Sequence, residues 1–377
     1  MSWAEWAEGK NAKTRAKGRW RKLAGFDAIG PRGRLDDGST VVSFASNDYL
    51  GLSEHPAVLA AAHDAIDRWG AGAGASRLVS GTRPVHSELE AALADWKSSE
   101  TALVFPTGFA TNLGVLSAIA APQVLICSDE LNHASIIDGC RLAKNLGAVI
   151  EVYPHCDVDA VSKLLSSASG RAVVVTDAVF SMDGDVAPLN ELAHACSQHD
   201  ALLVIDEAHS VLGPHFADFP CEVLRVGTLS KTLGSQGGFV AGKRLMTEML
   251  LNRSRSFIFT TALAPANAAA ANAALEVLRS QEGEQLLGRL AGHVARFTGP
   301  GTGPALSPIV PVVVGGEQEA LAASAALLEE GLFVPAIRPP TVPPGTSRLR
   351  VTLSAAHSDQ EVLQLLSALK RLGLRGH

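Results

Sequence analysis

Between residues 102 and 241 the chain alternates short, continuous apolar runs with amphipathic stretches. The runs fall at 102–105, 124–127, 149–153, 172–176, 202–206, 224–226 and 238–241, and helical patterns at 85–97, 137–146 and 189–199 separate several of them. Runs of Val, Ile and Leu without polar alternation predict strands buried on both faces of a mostly parallel sheet. In such a sheet, ligand groups belong just past the carboxyl ends of the strands. Thr107-Gly108, Asp177, Asp206 and Thr228 occupy such ends. The expectation is therefore an α/β fold with a mostly parallel central sheet in a large domain.

The pattern changes near residue 266. Helices are expected at 265–279, 283–297, 317–330 and 359–372, with strands at 308–314 and 348–353 and a glycine/proline stretch at 298–304. This predicts a smaller α+β C-terminal domain. The division expected is 1–45 for an N-terminal helix and connecting segment, 46–265 for the large domain and 266–377 for the small one. Residues 1–25 read as a charged helix packed near the small domain, and 30–38 read as turns.

Hydrophobic residues make up 47% of the 377-residue chain, the balance of a globular enzyme. A net charge of −6 offers no general electrostatic attraction for nucleic acid or an anionic membrane. No run approaches the ~18 apolar residues of a membrane span, and the start has no apolar leader pattern. The 5 cysteines are scattered, with no C-x-x-C pair, so neither a metal site nor a disulfide framework is expected. A reduced, cytoplasmic setting fits.

The chemistry centres on Val226-Gly-Thr-Leu-Ser-Lys-Thr-Leu-Gly-Ser-Gln-Gly-Gly238, which sets Lys231 among small and hydroxyl residues. Upstream, Ala201-Leu-Leu-Val-Ile-Asp-Glu-Ala-His209 ends a buried strand in Asp206. A buried carboxylate needs a cationic partner. A lysine for a Schiff base and an aspartate for a pyridinium nitrogen are what pyridoxal phosphate (PLP) requires. His209 is placed to reach the cofactor's phenolic oxygen. Thr107-Gly-Phe-Ala-Thr-Asn112 opens a helix, where the backbone N–H groups of Gly108 and Phe109 suit a phosphate, with the Thr228 hydroxyl in support. His133 is placed to stack on the ring, and Ser181 to reach its substituents. Each residue alone also has an ordinary structural reading; their combination favours the cofactor.

Two competing motifs fail. Asp-Glu-Ala-His at 206–209 imitates a Walker B tetrad, and Gly237-Gly-Phe-Val-Ala-Gly-Lys243 imitates G-x-x-x-x-G-K. Arg244 stands where Ser or Thr must hold Mg²⁺, and the glycines precede an apolar strand instead of following one. Gly70-Ala-Gly-Ala-Gly74 lacks both the dinucleotide spacing and a preceding strand.

The combined motifs resemble the α-oxoamine synthases, PLP-dependent transferases of the type I, aspartate-aminotransferase fold. Ser46-Asn-Asp-Tyr-Leu-Gly-Leu52, Ser135 after His133, Val179-Phe-Ser-Met-Asp-Gly-Asp185 and the Asp206/His209/Thr228/Lys231 set carry the likeness over nearly the full chain. The resemblance implies that Lys231 carries PLP, that Gly108, Phe109 and Thr228 hold its phosphate and that Asp206 pairs with the pyridine nitrogen. It implies that His209 and Ser181 contact the ring oxygen region and that His133 stacks on the ring. Arg350 would clamp the amino-acid carboxylate with Asn47 helping, while Arg21 and Thr341 would contact the acyl substrate. Thr260 and Thr261 would reach a partner subunit's phosphate, implying a homodimer with shared sites.

Within the family, Ala336-Ile-Arg-Pro-Pro-Thr-Val-Pro-Pro-Gly-Thr-Ser-Arg-Leu-Arg-Val-Thr-Leu353 is similar to the member that condenses L-alanine with a pimeloyl thioester on coenzyme A or an acyl carrier protein. The Met-Ser-Trp start and Arg21 ahead of Asn47 fit the same member. The alternatives are sister reactions joining glycine to acetyl-CoA or succinyl-CoA, or serine to a long acyl thioester. Glu207, Ser210 and the basic segment 81–86 depart from the family pattern.

Overall fold

The computed structural model describes residues 1–214, 218–299 and 306–374. Its strands run in chain order. The first three are β1 (Phe26–Ile29), β2 (Arg32–Leu35) and β3 (Thr40–Ser43). Next come β4 (Thr101–Phe105), β5 (Leu125–Asp129), β6 (Val149–Tyr153), β7 (Ala172–Asp177), β8 (Leu202–Asp206), β9 (Val223–Thr228) and β10 (Gly238–Gly242). The last four are β11 (Ile309–Gly315), β12 (Leu332–Phe333), β13 (Ala336–Ile337) and β14 (Ser347–Thr352).

The central sheet has 7 strands in the order β4-β10-β9-β8-β7-β5-β6. Strands β6, β5, β7, β8 and β9 run parallel to one another. β10 runs antiparallel to both β9 and β4, so its first residue, Gly238, meets the carboxyl ends of β4 and β9. All 7 runs expected in this region are strands of this one sheet. Strands β5, β7 and β10 are buried along their whole length, which is why their sequences show no polar alternation.

The small C-terminal unit is a 3-stranded sheet, β11-β14-β13, with helices Glu317–Glu329 and Asp359–Arg371. Helix Pro265–Leu278 packs on helices Pro56–Trp69 and Pro84–Trp96. One apolar core, running from Phe44 through Leu89, Ala271 and Leu349 to Leu369, joins these parts.

Two expectations are corrected. Residues 30–38 are not only turns: β1, β2 and β3 form an antiparallel ribbon, with β12 added in parallel beside β3. β1 and β2 alternate only between half-buried and exposed positions, so they carry little apolar signal. The N-terminal helix is Trp3–Ala16, not 1–25, and it buries none of its residues. The segment that follows it is tied to the small unit through Arg19–Glu317 at 3.4 Å and Arg338 Nη1 donating to Gly18 O at 3.2 Å. Most of the stretch 298–304 lies outside the described residues.

Candidate active site

The carboxyl ends of β4, β7, β8 and β9 converge on a cavity of about 180 Å³. Its walls include Gly108, Phe109, His133, Asp206, His209, Thr228 and Lys231, all nominated from the sequence, together with Asn112, Ser135, Asp177 and Ser230.

Lys231 follows β9 and is half-buried. Burial pulls its pKa below the ordinary lysine range against the opposing pull of Asp206 and Asp177, and the Arg350 charge adds to the lowering. This favours the neutral amine that a Schiff base needs. Asp206 is 6% exposed. Its Oδ2 accepts from Asn112 Nδ2 at 2.7 Å, and its Oδ1 from the Ala208 N–H at 2.9 Å. Asp177 is its register partner on β7. Burial and then the neighbouring Asp206 push the Asp177 carboxyl well above the usual carboxylate range, and the His133 N–H donates to it at 2.7 Å.

His209 is buried, and its Nδ1 lies 2.5 Å from Tyr49 Oη. Burial drives its pKa well below the ordinary histidine value, with the charges of Lys231 and Arg350 adding to the effect. The Tyr49 phenol is pushed far up, chiefly by burial, and keeps its proton. With Tyr49 donating to Nδ1, the neutral ring carries its hydrogen on Nε2, the nitrogen left for a group in the cavity. His133, at the mouth, is the N-cap of helix Ala134–Asn145, and its Nδ1 contacts Ser135 Oγ at 2.7 Å.

Helix Gly108–Ile119 opens on the cavity, with Thr107 capping it by accepting from the Ala110 N–H. Its first N–H groups have no intrahelical partner, a ready anion cradle. A Cβ on Gly238 would lie 2.5 Å from Gly108 N, so glycine is what lets β10 approach the cradle. Thr228 Oγ1 donates to Gly237 O at 2.9 Å and sits 2.8 Å from Ser230 Oγ, so Ser230 brings a second hydroxyl to this corner.

Arg350, on β14, is 5% exposed. Its Nε donates to Ser181 O at 2.6 Å, its Nη2 to Asn47 Oδ1 at 3.1 Å and its Nη1 to Thr352 Oγ1 at 2.8 Å. Arg350 and Asn47, both expected at the substrate carboxylate, thus hydrogen-bond to each other; Ser181, expected at the ring, enters through its backbone carbonyl, and none of the three lines the cavity. Arg21, Thr341 and Thr261 are exposed, Thr260 is half-buried, and none of the four lines the cavity. Glu207 forms buried ion pairs with Lys97 at 2.7 Å and Arg225 at 2.7 Å, which absorbs the Walker-like acid. His86, in the basic segment, is fully buried, accepting from the Arg83 N–H and contacting Leu263 O.

Sequence reasoning gave no role to Tyr49, Asn112 or Ser230. Tyr49 and Asn112 stood inside motifs already singled out, and Ser230 adjoins Lys231, but only the fold shows what they touch.

The donors fit PLP: an anion cradle at a helix N-terminus, a lysine with a lowered pKa, and a buried carboxylate oriented by an amide. Among the described residues, the buried Asn112 Oδ1 has no hydrogen-bond partner. These features define a PLP-dependent transferase of α/β fold. The chain belongs to the aminotransferase class I and II family, whose profile matches residues 39–369. A putative 8-amino-7-oxononanoate synthase from Desulforudis audaxviator is 46% identical, over 97% of this chain and 98% of the relative. The 8-amino-7-oxononanoate synthase of Anaeromyxobacter dehalogenans is 50% identical, over 88% of this chain and 86% of its own. Among solved structures, serine palmitoyltransferase from S. paucimobilis with a bound PLP–myriocin aldimine superposes with a TM-score of 0.88 at 29% identity, covering 99% of this chain and 100% of that one. The 8-amino-7-oxononanoate synthase of Francisella tularensis gives 0.73 at 25% identity, over 89% of this chain and 98% of that one. Among the described residues, no helix is long and apolar enough to cross a membrane.

Proposed function

We propose that this enzyme catalyses the decarboxylating condensation of L-alanine with a pimeloyl thioester, yielding 8-amino-7-oxononanoate, CO₂ and free thiol. The observation that carries this reading is the meeting of Lys231, Asp206 and His209 in one cavity beside the Arg350–Asn47 pair. The printed name of the relatives, 8-amino-7-oxononanoate synthase, supports that product. Bound PLP supplies an electron sink for negative charge at the amino acid's α-carbon. Asp206, held by Asn112, keeps the pyridine nitrogen protonated. His209 offers Nε2–H to the phenolic oxygen, and His133 covers the ring. Gly108, Phe109, Thr228 and Ser230 hold the phosphate. Arg350 binds the substrate carboxylate through paired N–H donors.

Lys231 would carry the cofactor, and its free amine would take the α-proton of L-alanine at Nζ. The α-carbon attacks the thioester carbonyl, the C–S bond breaks, and the thiol leaves. The resulting β-keto acid loses CO₂ and regains a proton. Arg21 and Thr341 are assigned to the acyl chain. Thr260 and Thr261 are assigned to the phosphate held by a second copy of the chain, making the working unit a homodimer. Light scattering should then report a dimer, and Thr260→Val with Thr261→Val should weaken PLP retention.

A second reading, a sister condensation on serine, is favoured by the 0.88 superposition on serine palmitoyltransferase. Visible absorption titrations with L-alanine, glycine and L-serine separate the two. The next measurement is CO₂ release with pimeloyl thioester on coenzyme A and on an acyl carrier protein. A spectral response to L-alanine and pimeloyl-dependent CO₂ support the reading; a response confined to serine moves the enzyme to the sister reaction. Lys231→Ala should fold but lose turnover by at least about a thousandfold.

A further inference from the structure

Outside the cavity, the imidazole of His155 stands between two carboxylates. Nδ1 is 3.0 Å from Asp129 Oδ1, and Nε2 is 2.6 Å from Asp185 Oδ2. A neutral imidazole has one N–H and cannot donate to both; the doubly paired ring is an imidazolium. Burial alone would lower its pKa, but hydrogen bonds and charge from Asp185 and Asp129 outweigh that and hold it above the ordinary histidine value.

The two anchors differ. Asp129, at the end of β5, has a side chain 1% exposed and also accepts from the N–H groups of Leu131 and Cys156. Asp185 is 44% exposed and belongs to the 179–185 loop. The same loop is tied on its far side to β14. Arg348 pairs with Asp183 and donates to Met182 O at 3.2 Å, while Arg350 Nε donates to Ser181 O at 2.6 Å. The loop is therefore a strap between His155 and the arginine assigned to the substrate carboxylate.

We infer that His155 is a positioning residue for amino-acid binding: its imidazolium holds the 179–185 loop, which in turn fixes the Arg350 guanidinium. The assignment rests on Arg350 being the carboxylate clamp. When His155 loses its proton, one carboxylate faces a lone pair. Asp129 is buried and fixed, so the half-exposed Asp185 is the one that turns to water. The bridge is complete below the raised pKa and lost as pH rises through it. Among the described residues, the other ionisable groups around His155 are Glu130, whose Oε1 accepts from the His155 backbone N–H, Cys156, whose Sγ lies 3.5 Å from Nε2, and the buried Tyr153 phenol beside Asp129. Burial and then Asp129 raise the Cys156 thiol to about 12, so it stays neutral through this range. Phe180 closes one side edge-on at 4.4 Å between ring centroids.

The test follows wild type, His155→Gln and Asp185→Asn across pH, recording KM for L-alanine, kcat and the dissociation constant of the amino acid from cofactor absorption. In parallel, the His155 ring is titrated by NMR without substrate. In wild type, KM should rise roughly fivefold as His155 deprotonates, the part of one charge-assisted hydrogen bond that reaches the clamp, with a smaller change in kcat. Both variants should start with the raised KM and show no step. By linkage, saturating amino acid should raise the His155 pKa by roughly 0.7 unit, the logarithm of that factor. Circular dichroism checks folding, and the half-exposed Asp185→Asn variant carries the test if His155→Gln misfolds. A His155 titration with no step in amino-acid affinity, or variants that match wild type at every pH, overturns the inference. If L-alanine is not turned over, the proposed reaction fails, but the affinity step remains readable with whichever amino acid perturbs the cofactor spectrum.

Discussion

Tyr49 shows how much of this site hangs on one hydroxyl. Its Oη is 2.5 Å from His209 Nδ1 and 3.2 Å from Asn47 Oδ1, so the imidazole is the better acceptor. Tyr49→Phe leaves the ring in place but removes the group that keeps its hydrogen on Nε2. A donor to the cofactor's phenolic oxygen stabilises the deprotonated form of the cofactor–lysine linkage. Losing that donor should move the spectroscopic titration of the bound cofactor to higher pH by about one unit, the worth of one hydrogen bond to a charged group. An unchanged titration would show that Tyr49 does not set the state of His209. Lys231, Asp206 and His209 were legible in the sequence because their types and spacing are unusual. Tyr49 was not, because nothing local says that a tyrosine will meet a histidine 160 positions away.

At the scale of elements, the cradle proposed for the phosphate is the contact between the start of β10 and the start of helix Gly108–Ile119. Gly238 is confined by Gly108 N and Thr111 Oγ1, each 2.5 Å from where its Cβ would stand. Gly238→Ala must push the helix N-terminus off the strand, at a packing cost of about 1–3 kcal/mol. Its dissociation constant for PLP should rise at least about tenfold, measured by equilibrium dialysis against wild type. The seven strands were readable because each is a short apolar run; six are buried over most of their length, while the edge strand β6 is largely exposed. The β1–β3 ribbon was not, since its glycines, proline and aspartates spell turns and its pairing with β12 joins residues nearly 300 positions apart.

Across the whole molecule, Glu207 ties the end of helix Pro84–Trp96, through Lys97, to β9, through Arg225. Burial raises the Glu207 carboxyl, but Lys97 and Arg225 outweigh it and hold the pKa below the usual glutamate value. The stability it adds is present above the unfolded-state pKa and lost as pH falls through the lower folded one. Glu207→Ala removes the buried carboxylate shared by Lys97 and Arg225 and should lower the unfolding free energy near neutral pH by about 3 kcal/mol in denaturant titrations. The deficit should shrink in acid as wild type loses its own ion pairs.

The sequence by itself determined the kind of sheet, the strand ends that carry polar groups and the lysine, aspartate and histidines that line the cavity. These follow from local periodicity and from residue types too costly to bury without a use. Only the tertiary structure decided that Asn112 orients Asp206, that Tyr49 meets His209 and that a loop strapped by His155 holds Arg350. Each of these joins segments far apart in the chain, and a hydrogen bond between them leaves no periodic trace along the sequence.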